Sequence, residues 1–213
     1  MEKFHQLRIE KVLTTFHIKE TTQCAALDEL LETGNQAALD VIENSIIDSA
    51  LQRYTKRHRG WNEEELKMHF ISSILNVADP YIEEICKTFF ERPLEGVINN
   101  YKLHVITDCM IASYDEGGNP KKPYFFLQEF KQKQLWGKTD PQGQMLVAML
   151  LAQDMNADDK YLYGCFVKEN NWRFTTLNGL NYCVSRQFDS TQKHDLLQIV
   201  LILRQLKELI LHR

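Results

Sequence analysis

One stretch of the sequence, from Leu103 to Lys131, limits the choice of fold more than any other. Its two flanks are rich in aromatic and β-branched residues, and its centre, residues 114–123, contains two glycines, an asparagine and two prolines. Such flanks favour strands and such a centre favours a turn, so the pattern predicts two strands joined by a loop. If that hairpin closes symmetrically about Gly118-Asn119, Asp108 lies opposite Glu129.

The predicted pairing brings charged side chains together. Directly opposed residues on paired strands have Cβ atoms about 4.5–5.5 Å apart, and side chains along a strand alternate between its faces. Asp108 and Glu129 would therefore lie close together, with Lys131 on the same face as Glu129 and Phe130 on the other. Two carboxylates at that distance repel each other unless a cation neutralises them. A hard divalent ion such as Mg²⁺ or Mn²⁺ binds carboxylate and carbonyl oxygens and would do so.

The alternative interpretation is a solvent-exposed strand that carries these charges without a shared role. Two acids and a lysine form a short pattern that arises often in this way. However, the residues from Tyr124 onward are apolar on both faces of the predicted strand, which indicates burial, and buried charges are rarely left without partners. The symmetric closure also places Ser113 opposite Tyr124, which offers a separate check of the register.

Thr107-Asp108, the hairpin and Glu129-Phe130-Lys131 at a strand end together resemble the PD-(D/E)XK nuclease superfamily. The similarity is greatest to the restriction-endonuclease-like domains that begin type I restriction motor subunits. It covers roughly residues 61–188, with Thr107 where the family normally has proline. The resemblance implies a restriction-endonuclease-like mixed central sheet flanked by helices, in an α/β fold.

The resemblance also implies an activity, namely metal-dependent hydrolysis of phosphodiester bonds, with DNA as the expected substrate. Asp108, Glu129 and the carbonyl of Phe130 would hold Mg²⁺ or Mn²⁺, and Lys131 would position the attacking water. Proteins of this type act in restriction of foreign DNA or in repair. The rival hypothesis is a nuclease-fold module that binds nucleic acid or protein without catalysis.

A predicted helix before the hairpin supplies a third acidic residue. Asn62 and Glu65 have the spacing of a capping box, which opens the helix and accounts for Glu65. Glu63 lies on the apolar face of that helix, where a carboxylate needs a metal or a lysine as partner. The resembled domains carry a glutamate seven residues before a Phe-Ile pair, as Glu63 stands before residues 70–71, which implies a role at the metal. Glu64 is the second candidate, and the helix dipole explains a first-turn glutamate equally well.

Three polar residues after the hairpin are candidates for contact with nucleic acid. Lys133 and Lys138 follow the second strand, within reach of a phosphate backbone. Residues 142–154 form a predicted helix that is apolar nearly all round, and Gln144 lies in it where related nucleases place a glutamine with a tyrosine four residues later. Ala148 occupies the tyrosine position, so this auxiliary motif is incomplete.

A basic cluster ends the predicted helix Ala38–Tyr54. Arg53, Lys56, Arg57 and Arg59 place four fixed positive charges in seven residues. Such a cluster at a helix C-terminus commonly complements the helix dipole in solvent. In a nuclease it could equally contact phosphates, so both interpretations stay open.

The remaining elements complete the predicted fold. Residues 4–60 are expected to be helical throughout, so that residues 1–60 form a helical N-terminal segment and residues 61–213 the nuclease-like domain. The other predicted elements are strands at Leu94–Asn100, Tyr161–Val167, Trp172–Leu177 and Leu180–Ser185, a turn at Asn178-Gly179, a helix start at Asp140-Pro141 and a last helix at Thr191–Leu211. The last helix has a surplus apolar face. This face could pack on the N-terminal helices, or on another subunit in a homodimer.

Composition narrows the class of protein. The chain has 213 residues, 44% hydrophobic and 25% charged, which suffices for one sizeable domain and excludes general disorder. A net charge of −4 argues against a protein that coats nucleic acid through overall basicity, although a local patch can still bind it. Five cysteines without Cys-x-x-Cys spacing predict reduced, buried thiols. With no apolar signal segment or membrane span in the sequence, a cytoplasmic location without a membrane partner is expected.

Overall fold

The computed structural model describes residues 2–4, 7–131 and 140–213, with Glu2 and Lys131 described by their backbone alone. Its helices are α1 (Ile9–Phe16), α2 (Ala25–Leu31), α3 (Val41–Arg57), α4 (Glu63–Leu66), α5 (Ser72–Ala78), α6 (Pro141–Asn156) and α7 (Lys193–Leu211), and a π-helical turn, Lys67–Ile71, joins α4 to α5. Its strands are β1 (Glu2–Lys3), β2 (Lys19–Thr21), β3 (Lys87–Ile98), β4 (Tyr101–Tyr114), β5 (Pro120–Lys131), β6 (Leu162–Lys168), β7 (Asn171–Asn178), β8 (Asn181–Val184) and β9 (Phe188–Asp189).

These strands join one mixed sheet in the order β1-β4-β5-β6-β7-β8-β2, with β3 paired to β4 and β9 to β7. The β3–β4, β4–β5, β6–β7 and β7–β8 pairs are antiparallel, whereas β5–β6, β1–β4 and β2–β8 are parallel. Parallel neighbours need a long crossover connection, and α6 lies in the connection between β5 and β6. The predicted α/β class with a mixed central sheet is therefore confirmed.

Helices cover both faces of the sheet. α1 and α6 pack on one face, in a hydrophobic cluster that includes Phe16, Leu127 and Met145. α2, α3, α5 and α7 pack on the other face, in a cluster that includes Phe126 and Trp172. α6 is buried along most of its length, as its apolar sequence predicts. α7 packs against α2 and α5 of its own chain, and dimerisation through the terminal helices stays a prediction.

The N-terminal region contains strands as well as helices, so the prediction of helices throughout is wrong at Lys19–Thr21. There β2 pairs in parallel with β8, and the amide of Lys19 donates to the carbonyl of Leu180. Lys-Glu-Thr has no apolar period that could indicate either element, so the distant partner strand decides its conformation. Together with β1, which pairs with β4, this strand ties the N-terminal region into the sheet.

The β4–β5 hairpin has the predicted register near the two acids but not near the turn. Cys109 pairs with Gln128, as symmetric closure requires. Two register shifts follow towards the turn, and Ser113 pairs with Lys121, so the predicted pairing of Ser113 with Tyr124 is wrong. A β-bulge of this kind places extra residues in one strand, and no turn signal in the sequence marks it.

Two strand boundaries also differ from the prediction. β3 is longer than the predicted Leu94–Asn100, because it begins at Lys87 and pairs along almost all of β4. The β7–β8 turn consists of Gly179 and Leu180, one residue later than predicted, because the flanking asparagines pair with each other. Gly179 has φ 57°, a left-handed conformation that glycine adopts without steric cost.

The cysteine prediction is wrong for one pair. Cys24, at the start of α2, and Cys183, in β8, form a disulfide, with Cα atoms 6.4 Å apart. The two residues are 159 positions apart in the chain, so no local spacing could have indicated their pairing. Cys86, Cys109 and Cys165 are buried thiols, as predicted. Among the helices that the structure describes, none is both long and apolar enough to cross a membrane.

Candidate functional site

Asp108 and Glu129 lie at the end of the ladder between β4 and β5. The last pair of that ladder is Cys109–Gln128, and Asp108 and Glu129 are the next residues along their strands. Both acids are buried, with 6% and 1% of their surfaces exposed. The alternative of a solvent-exposed strand is therefore wrong, and the two charges need partners because an unpaired charge is costly to bury.

Both acids affect the pKa of the buried thiol of Cys109. Burial raises the pKa of Cys109, and the negative charges of Asp108 and Glu129 raise it further. A carboxylate raises the pKa of a thiol because it disfavours the negatively charged thiolate. A thiol with a raised pKa is a poor nucleophile, which leaves Cys109 a packing role beside the acids.

Asp108 is held by the backbone of the neighbouring strand. Its Oδ2 accepts a hydrogen bond of 2.7 Å from the amide of Phe130. The Phe130 ring packs in the core against Trp172, with ring centroids 6.3 Å apart. The Phe130 carbonyl as a metal ligand stays a prediction.

Gln144 approaches the same place from α6. Its Nε2 lies 3.5 Å from Oε2 of Glu129, a long contact. The helix begins where predicted, since the carboxylate of Asp140 accepts a 2.7 Å hydrogen bond from the amide of Gly143 and Pro141 lies in the first turn. The structure thus brings Gln144 to the acids, and its contact with nucleic acid stays a prediction.

Lys67, which the sequence pattern did not single out, lies against Asp108. Its Nζ is 3.2 Å from Oδ1 of Asp108, 2.8 Å from Oε1 of Glu91 and 2.7 Å from Oε1 of Glu64. Oε1 of Glu63 is farther away, at 3.9 Å. The Lys67 side chain is only 13% exposed. One ammonium group therefore neutralises part of the acidic cluster, the role that the sequence assigned to a divalent ion.

The acidic partners keep Lys67 charged. Burial by itself would lower the pKa of Lys67, but hydrogen bonds to Glu64 and Glu91 and the charge of Asp108 outweigh that effect and raise it. The spacing of Lys67 three residues after Glu64 is a known helical pairing signal. Nothing local connects it to Glu91 or Asp108, which is why sequence reasoning missed it.

Two irregular backbone features place the cluster. Lys67 begins the π-helical turn between α4 and α5, and such turns are frequent at functional sites. Glu91 has φ 50° and lies between Phe90 and Arg92, which pair with Cys109 and Thr107 on either side of Asp108. A positive φ is uncommon for residues other than glycine, and here it accompanies the contact of Glu91 with Lys67.

Of the three glutamates that open α4, Glu65 has the predicted capping role. Glu65 forms the capping box, because its amide donates to Oδ1 of Asn62 at 2.9 Å and its Oε2 accepts from the amide of Asn62 at 2.7 Å. Glu63 is half-buried at the edge of the Lys67 cluster, whereas Glu64 is exposed and closer to Lys67. A role for Glu63 at a metal stays a prediction.

Three predicted lysines are described only in part. Lys131 ends β5, where its backbone pairs with Lys168 of β6. The side chain of Lys131 lies outside the described residues, as do Lys133 and Lys138 altogether. Their roles in positioning water and contacting phosphates stay predictions.

The carboxylates of the cluster suit a hard cation, but the oxygens of Asp108 already have other partners. Within residues 2–4, 7–131 and 140–213, no group of three or more His, Cys, Asp or Glu side chains is arranged to hold a metal ion. Asp108 and Glu129 do supply the carboxylate oxygens that Mg²⁺ prefers. Both oxygens of Asp108 are already engaged, one by Lys67 and one by the amide of Phe130. A metal ion bound at Oδ1 of Asp108 would therefore lie close to the ammonium group of Lys67 and be repelled by it.

Comparison with known proteins adds no assignment. The chain matches no protein-family model, and the search of curated proteins gives no match either.

Proposed function

We propose that this protein is a metal-dependent nuclease of the PD-(D/E)XK type that hydrolyses phosphodiester bonds, with DNA as its substrate. The observation that carries the proposal is the burial of Asp108 and Glu129 on adjacent strands, with Lys67 and Gln144 as polar neighbours. Apolar side chains would fill such a place at least as stably. Charges kept in a buried position on rigid strands are typical of a site where they perform chemistry.

The order of elements supports the same proposal. The chain runs from a helical region through three strands to a helix and a further strand, namely α4–α5, β3, β4, β5, α6 and β6. Glu63 falls on the first helix, Asp108 on the second strand and Glu129 on the third. In the resembled superfamily, this order is more specific than any one residue.

Each residue has a role in the proposed site. Asp108, Glu129 and the carbonyl of Phe130 would hold Mg²⁺ or Mn²⁺, with Glu63 supporting the shell. When bound, such an ion stabilises charge on the phosphate and lowers the pKa of a coordinated water. Lys131 would position the attacking water, and Gln144, whose Nε2 lies 3.5 Å from Oε2 of Glu129, would contact nucleic acid beside the acids. Lys133 and Lys138 would contact phosphates.

Lys67 balances the acids when no metal is bound. Its ammonium group compensates the buried charge of Asp108, which would otherwise be destabilising. Because the lysine and the metal would both use Oδ1 of Asp108, metal binding would be coupled to movement of Lys67. That coupling can be measured separately from cleavage.

A cleavage assay tests the proposal. The wild type is incubated with plasmid, linear duplex, single-stranded DNA and RNA, in Mg²⁺, in Mn²⁺ and in EDTA, and cleavage is expected only with metal. Asp108→Asn and Glu129→Gln should each lose at least about 100-fold in rate, the scale on which charge-stabilising groups act. Glu65→Gln is the matched control, because glutamine also serves in a capping box and should leave cleavage unchanged.

Thermal unfolding gives an independent measure of metal binding. Mg²⁺ or Mn²⁺ should raise the melting temperature of the wild type, because a ligand that binds only the native state stabilises it. Asp108→Asn should remove that response. Absence of both cleavage and metal-dependent stabilisation in the wild type would refute the nuclease proposal.

A second candidate function is a nuclease-fold module that binds nucleic acid or protein without cleaving it. The observation in its favour is that Lys67 already neutralises Asp108, as in a site that needs no metal. Ala148, where a tyrosine would complete the auxiliary motif, points the same way. This candidate predicts nucleic-acid binding in EDTA and no cleavage in either metal.

A further inference from the structure

A cavity of about 390 Å³ lies beside the candidate site, between the end of α3, the start of α4 and the β6–β7 turn. The lining residues that matter here are Tyr54, His58, Arg59, Trp61, Glu169 and Asn170. Leu66, which also lines it, directly precedes Lys67 in the chain, so the cavity and the acidic cluster share the junction of α4 with the π-helical turn. Its volume falls within the range of about 300–1,000 Å³ typical of small-molecule sites.

Aromatic rings form one wall of the cavity. Tyr54 and His58 are stacked, with ring centroids 4.5 Å apart and planes 10° from parallel. Trp61 meets Tyr54 edge-on at 6.0 Å, and Trp61 also contacts His69 at 5.2 Å. Tyr54 is buried, whereas Trp61 and His58 are half-buried and accessible from the cavity. Partly exposed aromatic side chains of this kind are stacking platforms for nucleobases.

One basic side chain, that of Arg59, lines the cavity, and it belongs to a larger basic cluster. Arg53, Lys56, Arg57 and Arg59, the cluster that the sequence left open between a solvated helix end and a phosphate contact, lie exposed at the end of α3. None of these four side chains forms a salt bridge with a residue in the described part of the chain. Unpaired basic side chains beside a stacking platform fit the phosphates that flank a base.

The opposite side of the cavity is polar. Glu169 and Asn170 form the β6–β7 turn, and Glu169 has φ 59°. Asn170 is fixed in place, because its Nδ2 donates to Oδ1 of Asp189 at 2.5 Å. Burial and the charges of Glu169 and Asp189 raise the pKa of Tyr54. Glu169 and Asn170 thus add polar groups to a cavity whose other wall is aromatic.

We propose that this cavity holds one unstacked nucleobase of a nucleic-acid ligand, with the aromatic wall against its face and the basic end of α3 against its phosphates. The proposal rests on the proposed function for the class of ligand, and it adds a preference for nucleic acid with an unpaired base. A base held there would set which phosphate lies over the acids.

Binding measured without metal tests this inference. Three labelled duplexes are compared by fluorescence anisotropy in EDTA: one with a single unpaired base, one with an abasic residue at that position, and one fully paired. The wild type should bind the unpaired-base duplex at least about 5-fold more tightly than the abasic one, the lower end of what one stacked base contributes. Equal binding of the two by the wild type would overturn the proposal.

Two Trp61 variants and one control locate the effect. Trp61→Ala should remove the preference for the unpaired base, and Trp61→Phe, which keeps a stacking ring, should retain most of it. Tyr81→Ala removes an exposed aromatic ring elsewhere and should retain the preference in full. A loss with Tyr81→Ala as large as with Trp61→Ala would also overturn the proposal. Melting temperatures establish that each variant is folded.

A phosphate contact at the basic end of α3 is tested by the salt dependence of binding. Arg59→Gln should weaken binding of all three duplexes by a similar factor and reduce the slope of log affinity against log salt by about 1. An unchanged slope would exclude Arg59 as a phosphate contact and overturn that part of the proposal. Because Arg59 is exposed, this variant is expected to fold even if Trp61→Ala does not.

The two proposals fail in different ways. A base preference in EDTA without cleavage in Mg²⁺ or Mn²⁺ would refute the nuclease function and leave the base site standing. Cleavage that depends on Asp108, with no difference between unpaired-base and abasic duplexes, would refute the base site alone.

Discussion

Replacing Lys67 with methionine tests how the acidic cluster is balanced. The wild-type ammonium lies 3.2 Å from Asp108, 2.8 Å from Glu91 and 2.7 Å from Glu64. Methionine keeps a long, unbranched side chain without the charge. The variant should therefore lose the ionic contacts while retaining much of the packing around α4 and the π-helical turn.

The expected loss of stability comes mainly from one contact. Lys67 and Asp108 are both largely buried, and removing one partner of a buried pair costs about 3–5 kcal/mol. Glu64 and Glu91 are 71% and 55% exposed, so their pairs with Lys67 contribute only about 0–1 kcal/mol each. In the variant, Asp108 keeps the hydrogen bond from the amide of Phe130, so the loss of stability should lie at the lower end of the range for a buried pair. We expect a loss of about 3 kcal/mol, or roughly 6–12 °C in melting temperature for a chain of this size.

Urea unfolding in EDTA at neutral pH measures this loss. Lys193→Met is the matched control, because the pair of Lys193 with Asp48 is half-exposed on both sides and should contribute less than about 1 kcal/mol. Under the nuclease proposal, Mg²⁺ should stabilise Lys67→Met more than wild type, since no ammonium competes for Asp108. A variant that loses no more stability than Lys193→Met would refute the argument that Lys67 compensates a buried charge.

The pH dependence of the same pair of proteins follows from the raised pKa of Lys67. A group whose pKa is higher in the folded state contributes its full stability below its ordinary pKa of 10.5, and the contribution is lost as pH rises through the folded-state value. The part of the difference in unfolding free energy between wild type and Lys67→Met that comes from Lys67 titration should therefore be constant from neutral pH to about 10. Above that pH it should shrink. A difference that shrank already at mildly alkaline pH would contradict the raised pKa.

Three further changes test the packing by urea unfolding. Gly143→Ala should cost about 1–3 kcal/mol, because a Cβ there would lie 2.2 Å from the carbonyl oxygen of Leu7, and an unchanged stability would show that the contact yields easily. Cys24→Ser should cost up to about 5 kcal/mol under oxidising conditions, because the disulfide with Cys183 closes a loop of 159 residues, and it should cost far less in reductant. Gln128→Met should gain about 1–2 kcal/mol, because both amide atoms of Gln128 are buried without a hydrogen-bond partner among the described residues, and a loss would indicate an unrecognised partner.

Much of the fold and part of the site follow from local patterns in the sequence. The Asn62–Glu65 capping box, the start of α6 at Asp140-Pro141 and the burial of α6 depend on residues within a few positions of one another. The sequence also predicts the register at Cys109–Gln128, which brings Asp108 and Glu129 together, but it does so without the bulges that shift the pairing between there and the turn.

Tertiary structure alone decided the rest. β2 forms because the edge of β8 is available to it, and its own three residues carry no pattern that predicts this. The bulges near Ser113 shift the pairing from Ala112 to the turn, whereas the pairs from Cys109–Gln128 to Ile111–Phe126 keep the predicted register. In each case the determining partner lies far away in the chain, where neither turn chemistry nor periodicity can indicate it.

The same distinction divides the candidate site. The acids were predictable, because like charges on paired strands stand out in a sequence. The cation that meets them was not, since Lys67 is 24 residues from Glu91 and 41 from Asp108 and reaches both only after α4 has packed beside the sheet. The sequence by itself determined where negative charge would be buried, and only the packing of helix on sheet decided which positive charge compensates it, because charges attract through space rather than along the chain.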